Sequence, residues 1–134
     1  MPELIQLEVA TPERELVREP VESVQAPGKD GYLGILPGHA PLLGQLGAGV
    51  LTYTAAGRVR YLSVAGGFLE VLPDHVRILA DVAEKAEEID VERARAALER
   101  AQEGLSNASL EDMGKISAAT DRANARIAAA AQAR

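Results

Sequence analysis

Two histidines, His39 and His75, are the obvious residues for chemistry, and the chain has no cysteine to join them. Without cysteine there is no thiolate nucleophile, no disulfide and no thiolate metal site. Each histidine sits among turn formers, and neither belongs to an H-E-x-x-H pair, so the zinc spacing is missing. There is no Gly-x-Ser-x-Gly elbow. Gly28-Lys29-Asp30 and Gly114-Lys115-Ile116 lack the Ser/Thr and the upstream glycine of a phosphate-binding P-loop. No catalytic residue and no metal ligand is therefore expected, and the chain alone does not read as an enzyme. The charged residues of the tail offer more. Asp90 suits an N-cap, because its carboxylate can accept a backbone N–H. Arg93 would then stand in the first turn, where its charge opposes the helix dipole. An Asp90–Arg93 pair at i,i+3 is one account of it. The other is an anion site: Arg122 and Arg126 lie one turn apart on one face and could converge with Arg93, and arginine forks suit phosphate. Arginines on an exposed helix are also often only solvated.

The elements that would hold these arginines are helical. After residue 84 come fifteen alanines and no proline, whereas all seven prolines, all four aromatics and ten of twelve glycines precede it. That shift places a boundary at Val82 to Glu88 and divides the chain into 1–83 and 84–134. Val91, Ala94, Leu98, Ala101 and Leu105 form one narrow seam at helical spacing. Gly104 and Asn107 mark an exit, and Ser109 with Asp112 makes a capping box for a second helix. Met113, Ile116, Thr120, Ala123, Ile127 and Ala130 repeat the spacing. Two seams joined by a short loop predict an antiparallel two-helix hairpin. Burying a leucine is worth about 1.5–3 kcal/mol, and an alanine brings only one methyl. Such a hairpin should detach easily, as a movable arm requires.

The first part reads as short strands. Ile5, Leu7 and Val9 alternate with polar residues. Further strands follow over Glu15–Arg18, Val21–Ala26, Tyr32–Leu36 and Val50–Thr54, then from Val59 to Ser63, Phe68 to Leu72 and Val76 to Asp81. Turns fall at Gly28–Gly31, Ala55–Gly57 and Pro73–His75, and Gly66-Gly67 kinks the chain. Strands at this spacing suggest a sandwich or barrel. The stretch from Pro27 to Leu43 carries four glycines, three prolines and His39, too punctuated for a helix or one plain strand. It predicts a turn, a short strand and a rigid corner at Pro37–Pro41. On local grounds His39 is a corner residue hydrogen-bonded between Gly38 and Pro41.

A net charge of −6 argues against a nucleic-acid partner. No apolar run approaches the roughly 20 residues of a membrane helix. Met1-Pro2-Glu3-Leu4 lacks the start of a secretory leader. The default compartment is cytoplasmic, with any membrane link made through a protein partner.

The run Gly34-Ile35-Leu36-Pro37-Gly38-His39-Ala40-Pro41-Leu42-Leu43 closely resembles the signature of the epsilon subunits of bacterial F-type ATP synthases. Ile89-Asp90-Val91-Glu92-Arg93-Ala94 is similar to the family's second motif, and the likeness spans the chain. The resemblance implies a two-sheet antiparallel β-sandwich followed by the helical hairpin. It implies a non-catalytic rotor part that couples the gamma shaft to the c-ring, with the hairpin regulating ATP hydrolysis and reaching towards the alpha/beta catalytic head. It places the protein peripherally on the cytoplasmic face of the inner membrane, held by partner subunits of a proton-translocating enzyme. His39 would face the shaft, and the turn Lys29, Asp30, Gly31 and Tyr32 would rest on the ring. Family members often carry an acidic residue where Tyr32 stands, which leaves the chemistry of that contact open. No cofactor is required, but members that bind ATP as a regulatory ligand use a motif matching Asp90 and Arg93, a glutamate matching Glu84, and arginines matching Arg122 and Arg126. The alternative is a free-standing nucleotide-sensing sandwich and hairpin.

Overall fold

A computed structural model describes residues 3–133. Met1 and Pro2, read above for a leader, and Arg134 lie outside the described residues. Eight strands come first: β1 (Ile5–Ala10), β2 (Glu15–Val21), β3 (Ser23–Gly28), β4 (Gly31–Ile35), β5 (Leu42–Gln45), β6 (Gly49–Ala55), β7 (Arg58–Leu72) and β8 (His75–Lys85). One 3-10 turn, Ala86–Glu88, leads to α1 (Val91–Gly104), and a second, Leu105–Asn107, leads to α2 (Leu110–Gln132).

The strands make two layers that share β7 and β8. Residues 68–71 of β7 pair with β5, and residues 75–79 of β8 pair with β1, which pairs with β2. The other end of β7 pairs with β6, which pairs with β3 and through it β4. The β7–β8 hairpin crosses between layers at Gly66 and Gly67, whose φ values are +70° and +110°. A Cβ on Gly67 would collide with the Leu79 carbonyl, so only glycine permits this crossing. The side-chain alternation changes phase there: Leu62 and Val64 point inward before it, Leu69 and Val71 after it. Where two strands flanking a glycine kink were expected, β7 is one 15-residue strand. Its two parts keep a single register with β8, which a kink alone does not end.

The interior is aliphatic, as the scarcity of aromatics requires. Ile5, Leu7, Val9, Ile35, Leu51, Leu62, Leu69 and Ile78 are fully buried in one cluster between the layers. One ladder departs from an all-antiparallel sandwich: β1 lies parallel to β8. A parallel pair needs a long crossover, and every other strand of the domain lies between these two in the chain. The last strand runs to Lys85, beyond the 83/84 division drawn from composition.

Both helix caps form as the sequence requires. Asp90 Oδ1 accepts from the Arg93 amide at 3.1 Å, and Ser109 Oγ accepts from the Asp112 amide at 3.3 Å. The two helices pack against each other, and α2 also lies along β6 and β7. The expected seams need correction on this point. Leu105 and Met113, placed in them, are exposed, whereas Ala125 and Ala129, left out, are buried. The physical reason is that α2 has two buried sides. One meets α1, and the other sets Ala129 and Ala130 against Ala86 and Ile89, with Val50, Tyr61 and Val91 at the margin. Alanine lets the helix axis lie close to the sheet, so this side carries no large apolar residues for a periodicity to detect.

Candidate functional site

The junction of the two parts encloses a cleft of about 430 Å³. Glu84 of β8, Asp90 at the start of α1, Arg93 of α1, and Arg122 and Arg126 of α2 all line it. The fold thus gathers all five residues considered for an anion site. It adds two that sequence reasoning missed, Glu88 and Arg100. Arg100 was findable: it lies seven residues after Arg93, on the same helical face, with Ala97 between them.

The charges in the cleft are unequally satisfied. Arg126 Nε donates to Glu84 Oε1 at 2.8 Å, and Glu88 is held by Arg14 of the β1–β2 turn at 2.9 Å. Asp90 is engaged through the Arg93 backbone, and the side-chain Asp90–Arg93 ion pair considered above is not formed. Among the described residues Arg93, Arg100 and Arg122 have no carboxylate within 4.0 Å. Three guanidinium groups therefore face a cavity beside a helix N-terminus, itself a region of positive potential. This arrangement suits a polyanion with several oxygens. Among the described residues no group of histidines and carboxylates is disposed to hold a metal ion.

The punctuated stretch builds a second region. Lys29 and Asp30 form the tip of the β3–β4 hairpin, and Gly31 takes a φ of +139° to close it. The Lys29 amide donates to the Gln45 carbonyl at 3.0 Å, and the Tyr32 hydroxyl accepts from the Val50 amide at 3.0 Å. Gly49 makes the second bond possible, because a Cβ there would sit 2.5 Å from the Tyr32 hydroxyl. The turn is thus fastened to β5 and β6, and it borders a groove of about 350 Å³ with Leu42 and Leu69. His39 is elsewhere. Its Nδ1–H donates to the Ala40 carbonyl at 2.6 Å, the local bond expected, and the Gly38 amide ties the corner to the Pro73 carbonyl. Turn and corner are separate places, not one site.

A feature with no counterpart in the sequence reading is the outer face of the β5–β7–β8 layer. The register puts Leu43, Phe68, Leu72 and Leu79 on that face, with exposures of 74%, 56%, 38% and 51%. Its signal was present, since Phe68-Leu69-Glu70-Val71-Leu72 is apolar at both parities of the strand. The Glu70–Arg77 ion pair lies among them on the same face, and exposed apolar side chains grouped in this way suit docking against a partner. A sandwich with such a face, carrying a hairpin that closes over a cationic cleft, is built as a component of a larger assembly.

Comparison with known proteins identifies the assembly. Residues 4–86 match the family described as ATP synthase, Delta/Epsilon chain, beta-sandwich domain, and residues 87–131 match its long alpha-helix domain. The chain is 65% identical over 131 residues to the ATP synthase epsilon chain of Solibacter usitatus, covering 97% of this chain and 98% of the relative. It is 50% identical over 111 residues to that of Koribacter versatilis, covering 83% and 78%. Its fold is similar to a chain in the structure of the Euglena gracilis mitochondrial ATP synthase OSCP/F1/c-ring assembly, with a TM-score of 0.82 and 26% identity over 99% of this chain and 82% of that one. The chain belongs to the ATP synthase delta/epsilon family. Membership makes it a non-catalytic component of the central stalk and displaces the free-standing sensor as a reading. Among the described residues no helix is long and apolar enough to cross a membrane.

Proposed function

We propose that this chain couples the gamma shaft to the c-ring of a bacterial ATP synthase, and that ATP held in the arginine cleft sets the position of its hairpin. In this reading the Lys29–Tyr32 turn rests on the ring, while the His39 corner and the Leu43–Phe68–Leu79 face dock on the shaft. Through these partners the protein lies on the cytoplasmic face of the inner membrane. The hairpin, when released, extends towards the alpha/beta head.

The observation that carries the regulatory part is the cleft with its three unpaired arginines. Arg93 and Arg100 come from α1 and Arg122 from α2, so a triphosphate among them offsets their mutual repulsion and ties the helices together. The cleft also needs Glu84 and its partner Arg126 across the domain junction, so ATP binds only the folded-back state. Selective binding stabilises that state by RT ln(1 + [L]/Kd), about 2.7 kcal/mol at a hundred times Kd. This compares with burying one or two leucines and is enough to tip a hairpin seated on alanines.

Calorimetric titration of the chain with ATP tests the reading. Arg93→Ala and Arg100→Ala should each abolish or strongly weaken binding. They are better probes than Arg126→Ala, which also strands Glu84. No binding heat at millimolar ATP would reduce the arginines to a solvated face. The docking assignment has its own test: with no native cysteine, Asp30→Cys should cross-link to the ring and Leu43→Cys to the shaft. Cross-linking of both only to a second copy of the chain would defeat it.

A further inference from the structure

Arg122 lines two cavities. One is the arginine cleft, and the other is a groove of about 500 Å³ between α2 and the Gly66–Gly67 crossing. The groove's carboxylates are Asp81 of β8 and Asp121 of α2. Asp121 is the immediate neighbour of Arg122 on the helix, and adjacent helical residues do not face each other. Asp81 comes from the opposite wall. At the crossing β8 turns both Asp81 and Val82 out of the sandwich, and both line the groove. The Asp81 carboxylate occupies the space that a Cβ on Gly66 would fill.

β8 thus sets two carboxylates, Asp81 and Glu84, against two arginines of α2 one helical turn apart. The Glu84–Arg126 pair is closed at 2.8 Å. The Asp81–Arg122 pair is open, with no ion pair between them within 4.0 Å. On the cleft side Arg122 shares the lining with Arg93, Arg100 and Arg126 and with the carboxylates of Glu84, Glu88 and Asp90; on the groove side the carboxylate of the opposite wall is Asp81.

We propose that Arg122 is a two-position residue. Its guanidinium stands at the boundary of the two cavities, unpaired here, and can turn either to Asp81 across the groove or to a polyanion in the cleft. Asp81 is thereby a positioning residue that competes with the ligand and sets the affinity of the cleft. Lys29, the groove's other cation, is left to Asp81 when Arg122 crosses. The proposal rests on the anion-site reading of the cleft.

The test is calorimetric titration of the full chain with ATP, across the Asp81→Asn, Arg122→Ala and combined variants, with Asp121→Asn as a control. Removing an exposed competitor of this kind should tighten binding about two- to five-fold in Asp81→Asn. Arg122→Ala should weaken binding, and the gain from Asp81→Asn should vanish in its presence. That cancellation separates competition for Arg122 from a general effect of Asp81 on the strand crossing. Unchanged affinity in Asp81→Asn, a gain that survives Arg122→Ala, or an equal gain in Asp121→Asn overturns the switch while leaving the anion site intact. Absence of ATP binding by the unaltered chain defeats the anion-site reading and the switch with it.

Discussion

Arg77 Nε donates to Glu8 Oε2 at 3.2 Å, and His75 and Arg18 stand 3.7 and 4.0 Å from the other carboxylate oxygen. The Arg77 hydrogen bond holds the Glu8 carboxyl below the ordinary range, against a smaller opposing effect of burial, with the charges of Arg77, His75 and Arg18 adding to it. A carboxylate depressed on folding contributes stability that is full above its unfolded pKa and is lost as pH falls through the folded one. Glu8 should therefore titrate below a free glutamate when followed by carboxyl NMR, and Arg77→Gln should raise its pKa. An unchanged Glu8 titration in that variant would mean the contact does not persist in solution. At this scale the sequence was legible where partners are local. Asp90 and Ser109 are caps because they precede helical patterns by fixed offsets. The Glu8–Arg77 and Glu84–Arg126 bonds join residues distant in the chain, so no local pattern in the sequence contains them. Glu84 entered only through resemblance, and Arg100 was missed although the helical stripe from Arg93 runs through it.

At the scale of elements, what sequence pattern revealed least well was α2. The buried positions of both helices are alanines, and so is α2's own share of its seat on the sandwich. The fully buried Ala129 packs with Ala86, Ile89 and Ala130 where the helix meets the linker. A larger side chain there has no room without lifting the helix, and overpacking of this kind costs about 1–3 kcal/mol. Ala129→Leu should lower the melting temperature of the helical signal in circular dichroism, while Ala128→Leu, one position away and exposed, should change it little. Equal effects of the two would mean that α2 does not seat on this face. The β7–β8 crossing was half legible for a related reason. Gly66-Gly67 announces a kink, but only the paired register with β8 makes it a passage between layers rather than an end.

The molecule as a whole has two unequal cores. The sandwich cluster draws its large side chains from seven of the eight strands and none from the helices. The second cluster is four small or medium residues, with Val50, Tyr61 and Val91 at its edge. Removing the hairpin therefore uncovers part of Val50 and Tyr61 and leaves the sandwich interior intact. The whole loss to the sandwich is a fraction of the roughly 1.5–3 kcal/mol per fully buried side chain, set against a dense aliphatic core. A fragment of residues 1–85, which keeps all of β8, should unfold in one cooperative β-type transition, at a temperature somewhat below that of the sandwich in the full chain. The fragment from Ala86 onward should be mostly unfolded alone. Its helices are held by alanine contacts and by the Glu84–Arg126 bond, and in proteins most helical stability comes from tertiary packing, which the fragment loses. Adding ATP should sharpen the helical transition of the full chain and leave that of the 1–85 fragment unchanged, because the fragment lacks Arg93, Arg100 and Arg122. If residues 1–85 are unfolded at room temperature, the two cores are one, and a hairpin that leaves the sandwich could not work as an arm.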